Sequence, residues 1–132
     1  METNIDDCTG EMLVFVMEQL LDQGALDVFF TSIFMKKNRP AYRLTVVCKE
    51  KQMESLQKII FTHTTTIGIR YRKEQRTILE RKIKEIDTPL GKLQVKEVLI
   101  DGEKRCYPEY ESAKKLALEH HCSLQEIYHL VK

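Results

Sequence analysis

Along residues 1–72 the apolar pattern switches between strand period and helix period in a fixed order, and that order narrows the fold more than any single motif does. Glu2 to Asp7 reads as a short extended stretch ending in two carboxylates. Leu13, Val16, Met17 and Leu20 then recur at the spacing of one helix face. Thr9 is placed to cap that helix, Glu11 suits its positive first turn, and Gly24 supplies the stop. Leu26 to Met35 and Tyr42 to Cys48 are rich in β-branched and aromatic residues, and the basic stretch Lys36-Lys37-Asn38-Arg39-Pro40 separates them as a hairpin tip. Lys51 to Phe61 returns to helical spacing through Met53, Leu56 and Ile60. Thr64 to Arg72 alternates again, with Ile67, Ile69 and Tyr71 on one side and Gly68, Arg70 and Arg72 on the other.

The predicted order is β-α-β-β-α-β, the split arrangement in which two helices cover one face of an antiparallel sheet. We therefore expect an α+β protein: a ferredoxin-like βαββαβ lobe over residues 1–75, followed by a smaller α/β lobe over residues 76–132. In the second lobe, a strand within Thr77 to Ile86 is favoured over a solvated helix. Thr88 to Gly91 reads as a turn, Lys92 to Ile100 as a strand, and Asp101-Gly102 as a hairpin turn into a short strand around Cys106. Pro108 suits the first turn of a helix carrying Tyr110, Ala113, Ala117 and His120 on one face, and Ser123 with Glu126 makes a capping box for a last helix.

A chain of 132 residues fits one domain or two small lobes, and 42% hydrophobic with 31% charged residues is the balance of a folded, soluble protein. No run of about 18 apolar residues is present to span a membrane, and the opening METNIDD is no signal peptide, so a cytoplasmic location is expected. The net charge of +1 creates no global field for nucleic acid or an anionic membrane, and any anion site must be local. The four cysteines, Cys8, Cys48, Cys106 and Cys122, form no CxxC pair, so neither a zinc site nor a disulfide framework is indicated.

Three local features bear on chemistry. Asp6 and Asp7 are hard oxygen ligands of the kind Mg²⁺ or Mn²⁺ prefers, and they equally suit the N-terminus of the following helix. Lys36, Lys37 and Arg39 crowd a hairpin tip stiffened by Pro40, a set able to grip a di- or triphosphate or simply to be solvated. Thr64-Thr65-Thr66 offers hydroxyls next to Gly68, where a ligand can approach the backbone, although threonines also open strands by propensity. His120, His121, Cys122 and His129 fit no standard metal-ligand spacing. The cations from Arg70 to Lys84 are interrupted by Glu74 and Glu80, and stacking aromatics are scarce, which favours an ion-paired surface over RNA readout. No GxxxxGK[ST] loop, GxSxG elbow or GxGxxG fingerprint occurs.

Taken in series, these segments carry a resemblance. METNIDD with Thr9-Gly10-Glu11, then Gly24-Ala25-Leu26-Asp27-Val28-Phe29, Met35 to Pro40, Thr65-Thr66-Ile67-Gly68-Ile69-Arg70 and Pro108-Glu109-Tyr110 resemble the LarC nickel-insertion family in order and spacing across nearly the whole chain. The resemblance covers only that family's C-terminal half, and the sequence looks like a separately made or trimmed piece without the longer N-terminal domain. It implies a nickel chelatase or insertase of the lyase class that hydrolyses CTP. Its substrates are Ni²⁺ and a pyridinium bisthiocarboxylate mononucleotide, and its product is the nickel pincer nucleotide of lactate racemase. For this region it implies a CTP site with Mg²⁺ or Mn²⁺, and a homo-oligomer without nucleic-acid or membrane partners. Mapped onto this sequence, Asp6 and Asp7 would hold the cation, Lys36, Lys37 and Arg39 the phosphates, and Thr65, Thr66 and Arg70 the rest of the pocket. No catalytic residue and no nickel ligand is identified. Cys8, Ser32 and Asn38 depart from the family's usual methionine, proline and glycine. His63 lies near an often acidic position, so no acid/base role is carried over to it. The competing expectations are a ferredoxin-like regulatory module that binds a small molecule without catalysis, and an RNA-binding module.

Overall fold

The computed structural model describes residues 1–131 and divides into two compact units, Met1–Glu74 and Gln75–Lys132. The first contains β1 (Glu2–Ile5), α1 (Gly10–Asp22), β2 (Asp27–Met35), β3 (Arg39–Val47) and α2 (Met53–His63). Its strands form an antiparallel sheet in the order β1-β3-β2. In α1, the Thr9 hydroxyl accepts from the Met12 amide at 3.3 Å. The helix ends in a Schellman turn: Ala25 N donates to Leu20 O at 3.0 Å, Gly24 N donates to Leu21 O at 2.9 Å, and Gly24 takes φ +88°. The faces of α1 and α2 bury Leu13, Val16, Leu20, Leu56 and Ile60 against Ile5, Val28, Leu44 and Val46 of the sheet.

The strand expected over Thr64 to Arg72 does not form. One bridge joins Glu2 to Arg70, with Glu2 N donating to Arg70 O at 2.7 Å and Arg70 N donating to Glu2 O at 2.9 Å. The bridge lies on the free edge of β1, where the fourth strand of a ferredoxin-like sheet belongs. The threonines explain the lost ladder, because their hydroxyls take over its hydrogen bonding. Thr64 Oγ1 donates to Ile60 O at 2.8 Å and accepts from Thr66 N at 3.3 Å, while Thr66 Oγ1 accepts from Gly68 N at 3.4 Å. Ile67, read as part of an apolar stripe, is 98% exposed.

The second unit is an antiparallel meander of β4 (Arg81–Thr88), β5 (Gly91–Ile100) and β6 (Glu103–Pro108), followed by α3 (Tyr110–Glu119) and α4 (Leu124–His129). Asp101 and Gly102, at φ +51° and +82°, make the two-residue turn between β5 and β6. Pro108 is not in a helix: it closes β6 opposite Val95, and Glu109 caps α3 by accepting from the amides of Glu111 and Ser112. Leu93 and Val95 are buried with Ala113, Leu116, Ala117 and Ile127. The capping box at α4 is complete, with Ser123 Oγ accepting from Glu126 N and the Glu126 carboxylate accepting from Ser123 N.

Candidate functional site

The C-terminal end of β1, the start of β3 and the segment after α2 meet at one end of the first sheet. Asp6 and Asp7 follow β1 in a bend and have different partners. Asp6 Oδ2 pairs with Arg39 Nη1 at 3.3 Å, whereas Asp7 Oδ1 accepts from the Thr65 hydroxyl. Each carboxylate keeps its other oxygen without a partner among the described residues. Among the described residues, no group of three or more His, Cys, Asp or Glu side chains converges there. A divalent cation held by Asp6 and Asp7 would need oxygens from a ligand to complete its shell, as Mg²⁺ commonly does with phosphates.

β1 grips the threonine segment at several further points. The buried Thr3 hydroxyl lies 2.5 Å from Thr66 Oγ1 and donates to Gly68 O at 2.8 Å. Arg70 Nη2 donates to Asn4 Oδ1 at 2.9 Å, and the Thr65 amide points at Cys8 Sγ, 3.4 Å away. Thr65, Thr66 and Arg70 are thus held against β1 and the bend after it that carries Asp6 and Asp7. Sequence reasoning noted Asn4 beside the aspartates as an oxygen donor but missed Thr3 and gave Cys8 no role here, and the alternation of β1 was the signal able to find Thr3.

The basic tip is tighter than a loop. Lys36–Asn38 forms a single 3-10 turn in which Lys37 and Asn38 take φ +62° and +56°, and Arg39 and Pro40 already belong to β3. Asn38 tolerates this left-handed conformation; Lys37 adopts it without glycine's freedom. Of the three cations, Arg39 is tied to Asp6, while Lys36 and Lys37 make no ion pair among the described residues.

The cations further along are largely neutralised. Arg72 bonds both Glu2 oxygens at 3.3 Å and Glu74 at 2.6 Å, and Lys73 pairs with Glu50 at 2.8 Å. All four cysteines are free and half-buried, Cys8 and Cys48 against the first core and Cys106 and Cys122 against the second. Among the described residues no helix is long and apolar enough to cross a membrane.

The family model for the nickel insertion protein matches residues 1–128. The chain belongs to the nickel insertion protein family. Among its relatives, a pyridinium-3,5-bisthiocarboxylic acid mononucleotide nickel insertion protein of Alkaliphilus metalliredigens is 50% identical over 128 residues, 97% of this chain and 30% of that protein. One of the same name from Acetivibrio thermocellus is 47% identical over 131 residues, 99% of this chain and 32% of that protein. This family member therefore spans about a third of the length of these curated relatives. A solved structure described as LarC2, the C-terminal domain of a cyclometallase involved in the synthesis of the NPN cofactor of lactate racemase, in its apo form, superposes with a TM-score of 0.92 at 45% identity. It covers 98% of this chain and 90% of that one. Protein MK0293 from Methanopyrus kandleri shares the fold, with a TM-score of 0.74 at 20% identity over 98% of this chain and 81% of that one.

Proposed function

We propose that this family member is the nucleotide-binding part of a CTP-dependent nickel insertase. In this reading it takes CTP with Mg²⁺ or Mn²⁺ while the whole enzyme inserts Ni²⁺ into a pyridinium bisthiocarboxylate mononucleotide. The observation that carries the reading is the convergence of acidic pair, basic tip and threonine segment at one end of a sheet, through Arg39–Asp6 and Thr65–Asp7. Lys36 and Lys37 act as mobile point charges on the phosphates, and the Arg39 fork gives bidentate contact once a phosphate competes with Asp6 for it. Thr65, Thr66 and Arg70 line the adjoining wall. Asp6 and Asp7 would hold the cation, which would supply positive charge against the negative charge that develops as CTP is cleaved. A homo-oligomer is part of the same proposal, and sedimentation reads it out.

Calorimetric titration with CTP, ATP, GTP and UTP, each with and without Mn²⁺, tests the reading. Metal-dependent preference for CTP is expected. Lys36→Ala and Arg39→Ala should each weaken it roughly tenfold or more, the equivalent of losing one charge-assisted contact. If both folded variants bound CTP as the unaltered chain does, the phosphate assignment would be wrong.

A further inference from the structure

The sheet of the first unit has a second face, directed away from the side chains buried beneath α1 and α2. Alternation assigns Glu2 and Asn4 of β1, Arg43 and Thr45 of β3, and Phe29 and Thr31 of β2 to it, with Arg43 in register between Asn4 and Thr31. All of these except Asn4 line a groove of about 690 Å³ that also draws on Arg70 and Tyr71.

Four cationic side chains line that groove, and two of them are already committed. Arg72 is taken by Glu2 and Glu74, and Lys73 by Glu50. Among the described residues, Arg70 has only the neutral Asn4 amide as side-chain partner, at 2.9 Å. Arg43 makes no ion pair among the described residues, and its Nε is buried without a hydrogen-bond partner. Buried N–H groups in native proteins are nearly always paired, so an orphan on a charged group calls for an explanation. Both residues line the same groove. The Glu2 carboxyl is held below its ordinary range first by the Arg72 hydrogen bond, against the effect of burial, and then by the charges of Arg72, Arg43 and Arg70.

We propose that Arg43 and Arg70 form a seat for the phosphate of a nucleotide on this open face. Two guanidinium forks around one asparagine give donors in excess of acceptors, which suits a phosphate's oxygens. Half-exposed Phe29 and the more exposed Tyr71 offer a flat heterocycle a surface. Arg43 lies four residues along β3 from Arg39, roughly 13 Å at the rise of a strand, so the seat and the basic tip address different groups. The inference rests on the nucleotide-binding reading above. The phosphate has two possible sources, the CTP itself or the pyridinium mononucleotide.

The test is calorimetry on the whole chain with CTP plus Mn²⁺ and, separately, with nicotinate mononucleotide as the pyridinium probe. Arg43→Gln, Arg70→Gln and Arg39→Ala are compared after circular dichroism shows each to be folded. The two glutamine variants should weaken at least one ligand about tenfold or more. An effect confined to nicotinate mononucleotide assigns the seat to that substrate, and an effect of Arg43→Gln on CTP assigns it to the triphosphate, since Arg70 already belongs to the CTP pocket proposed above. If CTP binds and only Arg39→Ala weakens it, the seat is overturned while the nucleotide reading stands. If CTP fails to bind but the mononucleotide binds in an Arg43-dependent way, the reading falls and the seat stands. Should the unaltered chain bind neither, both fall. If the glutamine variants change the sedimenting mass but no affinity, the face is a contact between copies of the chain, and the proposal is wrong.

Discussion

Replacing Thr3 with valine tests whether side-chain hydrogen bonds, in place of a strand ladder, hold the threonine segment in position. Thr3 is 2% exposed, and valine keeps its branching and nearly its volume while removing the hydroxyl. The loss leaves Gly68 O and Thr66 Oγ1 without their partner on β1. A buried polar group so abandoned costs about 1–3 kcal/mol. Gly68 is exposed to water and Thr66 Oγ1 still reaches Gly68 O at 3.1 Å, which limits the damage to the lower half of that range, about 1–2 kcal/mol. Urea denaturation should show this as a lower midpoint at unchanged slope. Amide exchange should quicken at Arg70, whose N–H is tied to Glu2 O at 2.9 Å. CTP affinity should fall as well, because Thr65, Thr66 and Arg70 ride on this segment. A Thr3→Val chain as stable as the original, with unchanged protection at Arg70, would refute the argument and leave apolar packing as the role of that side chain.

Leu20→Ala, at a fully buried position of α1, should cost about 2–5 kcal/mol through the cavity it opens, measured by the same denaturation series. Stability on the acid side depends in part on Glu126, whose carboxyl is held below its ordinary value of 4.5, first by the backbone hydrogen bond from Ser123 and then by that residue's hydroxyl. A depressed folded value means that this contribution is complete above about pH 4.5 and disappears as pH falls through the folded value. The stability difference between the unaltered chain and Glu126→Gln should therefore shrink on acidification; a difference that stays constant would exclude the mechanism.

Much of the fold is legible in local pattern. The apolar stripe of α1 with Thr9 and Gly24, the apolar spacing of α2, the Asp101-Gly102 turn and the Ser123/Glu126 capping box all depend on residues within a turn or two of each other. Local chemistry there has no distant competitor, and the order of elements follows from it. The same reasoning failed at Thr64 to Arg72, because alternation and β-propensity do not reveal that the threonine hydroxyls will satisfy neighbouring amides. It failed at Pro108 because a proline suits both a helix start and the end of an edge strand, and pairing with Val95 decided between them.

The candidate site divides in the same way. Residue types alone drew attention to Asp6, Asp7, Lys36, Lys37, Arg39, Thr65, Thr66 and Arg70, since carboxylates, clustered cations and hydroxyls are recognisable one at a time. That Asp6 faces Arg39 while Asp7 faces Thr65 was decided by tertiary pairings some thirty and sixty residues apart, at the bend that follows β1. Arg43 was invisible in the sequence as one cation in an ordinary strand. It acquired meaning when the sheet set it beside Asn4 and, through Asn4, Arg70, because charge becomes a binding property only once folding fixes which charges remain unpaired.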